Sequence, residues 1–384
     1  MRKSVLTMAA ILCVSGLFAQ QAKVVSAFNY LRNGQLDKAK LNIDEASKND
    51  ATKGLAKTWF YRGNIYLNIH LTTNNKYKGL DTNALQVAYD SYQAAIAIDP
   101  NISNENLAPT SPMLGLFVIG EQYYNKGVEL YNVKNYTEAM TNFEMTKKIN
   151  TIFQIKDTTA TFNIALCALN LKDNKKAKSC FEELMKNNYK QSIVYTSLSG
   201  IYKNEGDTVK ALGVIEKGRK IFPQDLNLII AQINIYLAQG KTKEANDLLA
   251  VAVNKDPNNP ALHFAIGANM DEVGNFAEAE KSYKKAIELK PDYFDAYYNL
   301  GALYVNSAAS KMEEANKLPL GDAKYDELKA VADKLLTDAI PVLETAERLQ
   351  PTDKNTLLTL KQLYARKSDA ENLKRVEEKL SKLK

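Results

Sequence analysis

The chain has 384 residues, of which 45% are apolar and 24% charged, a balance that excludes both a disordered chain and one that crosses a membrane repeatedly. Glycine and proline number only 17 and 10, too few for an all-β protein, which turns every 8–12 residues. The formal charge of +6 is dispersed, with no block of five like charges and no basic stripe interleaved with aromatics, so nothing marks a nucleic-acid binder.

The N-terminus reads as a targeting segment. Arg2 and Lys3 precede a largely apolar stretch from Val5 to Phe18, and Ala19 is followed by Gln20-Gln21. This is the pattern of a secretory signal over residues 1–19, cleaved after Ala19, although Leu17 is larger than the small residue preferred at the third position before the cut. The stretch is too short for a membrane anchor, and no Gly or Ala immediately precedes Cys13, which argues against lipidation. The remaining chain has no later apolar run of membrane-spanning length and is expected to be exported and soluble. Its two cysteines, Cys167 and Cys180, either pair in an oxidising compartment or act as small buried hydrophobes on facing helices.

Beyond the signal, the chain repeats. Pro223, Pro257 and Pro291 are spaced by 34 residues, and the same residue classes recur before each. The clearest copy runs Ile266-Gly267, Met270, Gly274-Asn275-Phe276, Ala279, Tyr283, Ala286, Pro291. About nine units follow: 20–53, 56–102, 120–153, 158–191, 192–225, 226–259, 260–293, 294–353 and 354–384. Small residues stand at the eighth position (Gly63, Gly127, Ala165, Ser199, Gly267, Gly301) and alanine at the twentieth (Ala39, Ala88, Ala139, Ala177, Ala211, Ala245, Ala279, Ala339). Together they predict close approach of two helices per unit, with large apolar residues at the eleventh and twenty-fourth positions filling the space between neighbouring units. A proline ends the second helix, because the residue before it is pushed out of the α region. No unit can bury its own face, so stacking supplies the core.

Two units depart from the period. The second carries about 13 extra residues, since Gly63 to Ala88 spans 25 positions rather than 12, and its polar run Thr72-Thr73-Asn74-Asn75-Lys76 reads as a loop. Residues 103–119, with Pro109 and Pro112, read as a linker. In the eighth unit Gly301 to Ala339 spans 38. Its insertion has helical composition around Leu318-Pro319-Leu320-Gly321, which predicts two helices each lengthened by roughly 20 Å into a projecting hairpin. Pro341 should kink the return helix. A two-helix arm leaves apolar positions half covered, which favours a packing or partner role for residues 307–335.

Tyr297-Tyr298-Asn299-Leu300-Gly301-Ala302-Leu303-Tyr304, with Trp59-Phe60-Tyr61-Arg62-Gly63-Asn64-Ile65-Tyr66, resembles the first helix of the tetratricopeptide repeat, except that Arg62 stands where that family has Leu. The resemblance implies an all-α, right-handed superhelical solenoid of helix-turn-helix units whose concave groove binds protein or extended peptide. Carried over by repeat position, the groove residues are Phe60, Asn64, Tyr124, Asn125, Phe162, Asn163, Phe264, Tyr298 and Asn299. The lysine at the fifth position that would grip a carboxylate tail is missing, whereas amides suit a peptide backbone and rings supply apolar contact. The alternative is that the rings pack between adjacent first helices. Asn68, Asn132, Asn170, Asn204 and Asn306 are expected as C-terminal helix caps.

Little points to catalysis. Of the two histidines, His263 falls at a core position of its unit and is expected to pack there, and no spacing suggests zinc, a phosphate loop or a nucleophile elbow. The expectation is a non-enzymatic scaffold without cofactor, metal or nucleic acid. Signal, Asn/Lys-rich composition and the Phe-Ala-Gln-Gln junction resemble periplasmic proteins of the Bacteroidota, which implies a Gram-negative envelope setting, such as a membrane-associated secretion or outer-membrane assembly. The rival is a glycan-binding or enzyme-associated factor built on the solenoid. A glycan site would show exposed aromatics flanked by Asp or Glu, and a peptide groove a continuous aromatic–Asn row.

Overall fold

Helices account for the regular structure of the computed structural model, which describes residues 21–104 and 110–383; no strand occurs among them. The expected signal and its cleavage site lie outside the described residues. The chain divides into two compact units, the first ending at Lys190 and the second starting at Gln191.

In the first unit, a helix through residues 21–32 (α1) is followed by α2 (Leu36–Lys48), α3 (Ala56–Leu71), α4 (Ala84–Ile98), a 3-10 turn (Pro100–Asn104), α5 (Pro112–Asn132), α6 (Tyr136–Ile152), α7 (Thr158–Asn170) and α8 (Asn174–Lys186). From α2 on, each packs against the next, and α5 also touches α3. Asn135, Asp157 and Asp173 cap α6, α7 and α8 by accepting the backbone N–H three residues on. The twentieth-position alanines Ala39, Ala88, Ala139 and Ala177 are fully buried.

The small eighth position does more than admit the partner helix. A Cβ added to Gly63 would fall 2.6 Å from the Tyr92 ring, and one on Gly127 2.7 Å from Phe143. The large twenty-fourth residue therefore lies on the glycine of its own unit, and Tyr92 also meets Gly115 of α5, so it fills the space toward the next unit as well. Arg62, the departure from the family pattern, is accommodated by charge: its Nε donates to Asp44 Oδ1 (3.2 Å) and its Nη1 to Ser91 Oγ (2.9 Å), while Tyr66 donates to the same carboxylate.

The stretch read as a linker is partly helix. α5 begins at Pro112, with Ser111 Oγ accepting the Leu114 N–H at 3.2 Å and Pro112 inside the first turn, where its fixed φ and missing N–H cost nothing. The roughly two extra turns bury Leu116 and Ile119 in the core that holds Phe60 and Tyr92. Asn132, Asn170 and Asn204 do end helices, but Asn68 and Asn306 lie inside theirs; the turns after α5 and α7 close through Lys134 and Lys172 in the left-handed region.

The second unit holds α9 (Ser192–Asn204), α10 (Thr208–Ile221), α11 (Leu226–Ala238), α12 (Thr242–Lys255), α13 (Pro260–Glu272), α14 (Phe276–Leu289), α15 (Phe294–Asn316), α16 (Lys324–Leu349), α17 (Lys354–Lys367) and α18 (Ala370–Lys382). Pro223, Pro257, Pro291 and Pro351 each stand two residues beyond a helix end. The long pair α15 and α16 forms the expected hairpin, and α16 runs through Pro341. This arm covers its own apolar face: Ala308, Ala315, Leu328, Ala332 and Leu336 are buried. Small residues on α15 let α16 close over it, so the inner face of the arm is covered, while Leu320, Tyr325 and Val331 stay exposed. Arg366 and Lys367 of α17 tie the arm's root through Asp333 (3.2 Å) and Thr337 (2.7 Å).

Candidate functional site

The groove residues expected from the repeat positions fall into three groups. Phe60 and Asn64 of α3 are fully buried. Phe60 packs toward Tyr92 (ring centroids 6.5 Å), and Asn64 Oδ1 accepts the Tyr92 hydroxyl at 2.7 Å while its Nδ2 reaches the Thr110 carbonyl at 3.5 Å. They are core, because the early start of α5 lays Gly115, Leu116 and Ile119 into the same cluster. Phe264, Tyr298 and Asn299 belong to the second unit and are half-buried. There Phe264 lies between Tyr283 (5.8 Å) and Tyr293 (5.2 Å), and Tyr298 stacks on Phe294 (6.1 Å), so these rings already serve one another.

The third group is gathered in the first unit. Tyr124, Phe162 and Asn163 are half-buried and Asn125 is exposed. Asn163 Nδ2 donates to the Tyr124 hydroxyl at 3.4 Å, and Phe162 lies 5.3 Å from Tyr189. Tyr124 meets Phe143 edge-on at 5.7 Å, which fixes its ring. Beside it opens a cleft of about 330 Å³ lined by Phe117, Gly120, Glu121, Tyr124 and Asn125 of α5, Thr146 and Asn150 of α6, and Asp157 at the head of α7.

Several of these wall residues were not legible as site residues. Phe117 stands on the extra turns of α5, 42% exposed and set at 90° to Phe153 (6.0 Å). Asp157 accepts the Ala160 N–H at 2.8 Å through one oxygen and the Asn150 amide at 2.7 Å through the other. Asn125 also borders a second cleft of about 460 Å³, whose walls include Asn83, Gln86, Gln122 and Tyr123. Tyr123 donates to Gln86 Oε1 (2.8 Å); burial, with Asp90 and Tyr89 nearby, pushes its hydroxyl up to about 12, so it stays a donor at physiological pH. The face of α5 is thus a track of amides and rings between two depressions.

A larger depression of about 710 Å³ lies in the second unit along α14. Its charges pair within the helix, Lys281 with Glu278, Lys284 with Glu280 and Lys285 with Glu288, which makes it a solvated face. His263 borders it, half-exposed rather than in the core, with Nε2 2.8 Å from the Pro257 carbonyl; the neighbouring Leu262 takes the buried place.

Cys167 and Cys180 are both free and buried, and desolvation raises both thiols, Cys167 to about 11. Among the described residues no group of three or more His, Cys, Asp or Glu could hold a metal ion, and no helix is long and apolar enough to cross a membrane.

Two family models match the chain, a TPR repeat over residues 272–307 and a tetratricopeptide repeat over residues 159–192. The chain is 26% identical to the BBSome complex member BBS4 of Bos taurus, over 70% of this chain and 50% of that protein. It is 27% identical to the probable UDP-N-acetylglucosamine–peptide N-acetylglucosaminyltransferase SPINDLY of Hordeum vulgare, over 34% of this chain and 11% of that one. The chain therefore spans half or less of the length of these curated relatives. Among solved structures, a thermophilic TPR protein of Thermus thermophilus is 22% identical, covering 48% of this chain and 98% of that one at a TM-score of 0.35.

Proposed function

We propose that this chain of tetratricopeptide-type repeats is a non-enzymatic interaction scaffold whose first unit holds an extended segment of a protein partner across α5. A TPR fold supports an interaction scaffold in general; the observation that carries this version is the open α5 face. There Tyr124, Asn125 and Asn163 border a cleft beside a second depression rich in amides. Amide side chains can both donate to and accept from a peptide backbone, and rings held by Phe143 and Tyr189 give apolar contact with little ordering cost. The signal-like N-terminus supports export, and the Asn/Lys-rich composition with the Phe-Ala-Gln-Gln junction makes a Gram-negative periplasm, within a membrane-associated assembly for secretion or outer-membrane biogenesis, the setting of this proposal.

Crosslinking and pull-down from envelope fractions tests the scaffold, and N-terminal sequencing of the exported chain tests cleavage after Ala19. The double substitution Tyr124→Ala with Asn163→Ala should remove captured partners while leaving the helical melting profile nearly unchanged. No reproducible partner under mild solubilisation would sink the proposal, as would fractionation with cytoplasmic markers for the envelope setting.

One observation favours the glycan-binding alternative: Phe117 is exposed beside Glu121 and Asp157, aromatic and carboxylates together. Binding to an oligosaccharide panel, with no binding to peptides, would select it.

A further inference from the structure

We propose that the cleft between α5, α6 and the head of α7 takes the cationic side chain of a lysine or arginine carried by the bound segment, a refinement that rests on the peptide reading above. The cleft's chemistry runs against that of its surroundings. Basic residues outnumber acidic ones over residues 21–190, yet the cleft walls hold two carboxylates, Glu121 and Asp157, and no Lys or Arg. The Glu121 carboxylate has no hydrogen-bond or ion-pair partner among the described residues.

Asp157 is held in place on both sides, by the Ala160 N–H and the Asn150 amide, and each oxygen keeps a further lone pair. A carboxylate fixed in this way meets an incoming ammonium or guanidinium without reorganising. The rings of Phe117 and Tyr124 line the same cleft as the two acids. Ring faces attract cations, and their apolar surface suits the methylene stem of Lys or Arg. Asn125 and Asn150 stand at the same walls to hold the backbone flanking that side chain. A volume of about 330 Å³ accommodates one long side chain and not a folded element.

The test uses the full chain and three pools of nine-residue peptides whose flanks are randomised without Lys or Arg. The central residue is fixed as a Lys/Arg mixture, as norleucine, or as Glu. Fluorescence anisotropy should rank the pools in that order, with the Lys/Arg pool bound about tenfold more tightly than the norleucine pool. Glu121→Gln with Asp157→Asn should bring the Lys/Arg pool down to the norleucine level and leave the norleucine pool unchanged. Asn retains the helix cap at position 157, so the fold is a controlled variable. Equal binding of the Lys/Arg and norleucine pools by the unmodified chain overturns the cation site and leaves the peptide reading standing. Binding of none of the pools, with retention of an oligosaccharide such as chitohexaose, overturns both.

Discussion

α3 and α5 carry the same kind of residue at the same repeat positions and meet opposite fates. Phe60 and Tyr124 are both fifth-position rings, yet Phe60 is fully buried while Tyr124 borders an open cleft. Each ring rests on the second helix of its own pair, on Tyr92 in one case and Phe143 in the other. What differs is the next helix. The extra turns of α5 bring Leu116 and Ile119 into the core that holds Phe60. The same turns carry Phe117 outward as a wall of the cleft. One extension therefore closes a groove on α3 and builds one beside α5.

Truncating the two rings separates these roles. Phe60→Ala should destabilise the chain by about 3–5 kcal/mol, the cost of emptying a fully buried aromatic site, with peptide affinity of the folded protein unchanged. Tyr124→Ala should cost about 1 kcal/mol of stability, since its ring is only half-buried, but should weaken peptide binding about tenfold. Denaturant melts beside anisotropy titrations read both effects. A neutral melt for Phe60→Ala with lost binding would reverse the assignment.

The next effect tests the extension itself. A Cβ on Gly115 would clash with the Tyr92 ring, as would one on Gly63 of α3, at 2.6 Å. Gly115→Ala should therefore cost about 1–3 kcal/mol by overpacking and, by displacing the turns that carry Phe117, weaken peptide binding too. Gly200 in α9 is the matched control: nothing lies within 4 Å of its Cβ position, so Gly200→Ala should be neutral or stabilising by up to about 1 kcal/mol. Thermal melts of the pair should move in opposite directions.

The repeat was legible because a period is a local property: glycine and alanine recur where the two helices of a pair meet, and proline recurs where the second helix ends. The eighth-unit hairpin was legible for the same reason, as helical composition on both sides of Leu318-Pro319-Leu320-Gly321. Phe117 was hidden because Pro112 at the start of a helix and Pro112 in a linker read alike. The burial of Asn64 was hidden because its partners, Tyr92 and Thr110, lie 28 and 46 residues away. Exposure is a property of neighbours, and repeat position names only one of them.

The Asn64–Tyr92 bond offers a finer probe. Tyr92→Phe keeps the ring against both glycines and removes only the hydroxyl, leaving Asn64 Oδ1 buried without its donor. The expected loss is about 1–3 kcal/mol in denaturant melts, with peptide binding intact. Burial pushes the Tyr92 hydroxyl far above the usual tyrosine range, so the bond joins two neutral groups and its contribution should be flat across acid and neutral pH.

Glu347 supplies the contrast, a buried polar group that is charged. Arg375 Nη1 donates to it at 2.6 Å and Lys379 Nζ at 2.8 Å, which ties α18 to α16. Burial pushes its carboxyl up, but the bonds from Arg375 and Lys379 outweigh burial and hold it below the usual glutamate range. A folded-state value below the unfolded one contributes stability that is present above the unfolded value, about 4.3, and lost as pH falls through the folded one. Glu347→Gln should therefore cost about 1 kcal/mol at neutral pH and converge on the unmodified chain in acid, whereas Tyr92→Phe should keep its deficit throughout. Melts at stepped pH distinguish them: parallel curves for Glu347→Gln would show that its carboxylate is not the titrating tie.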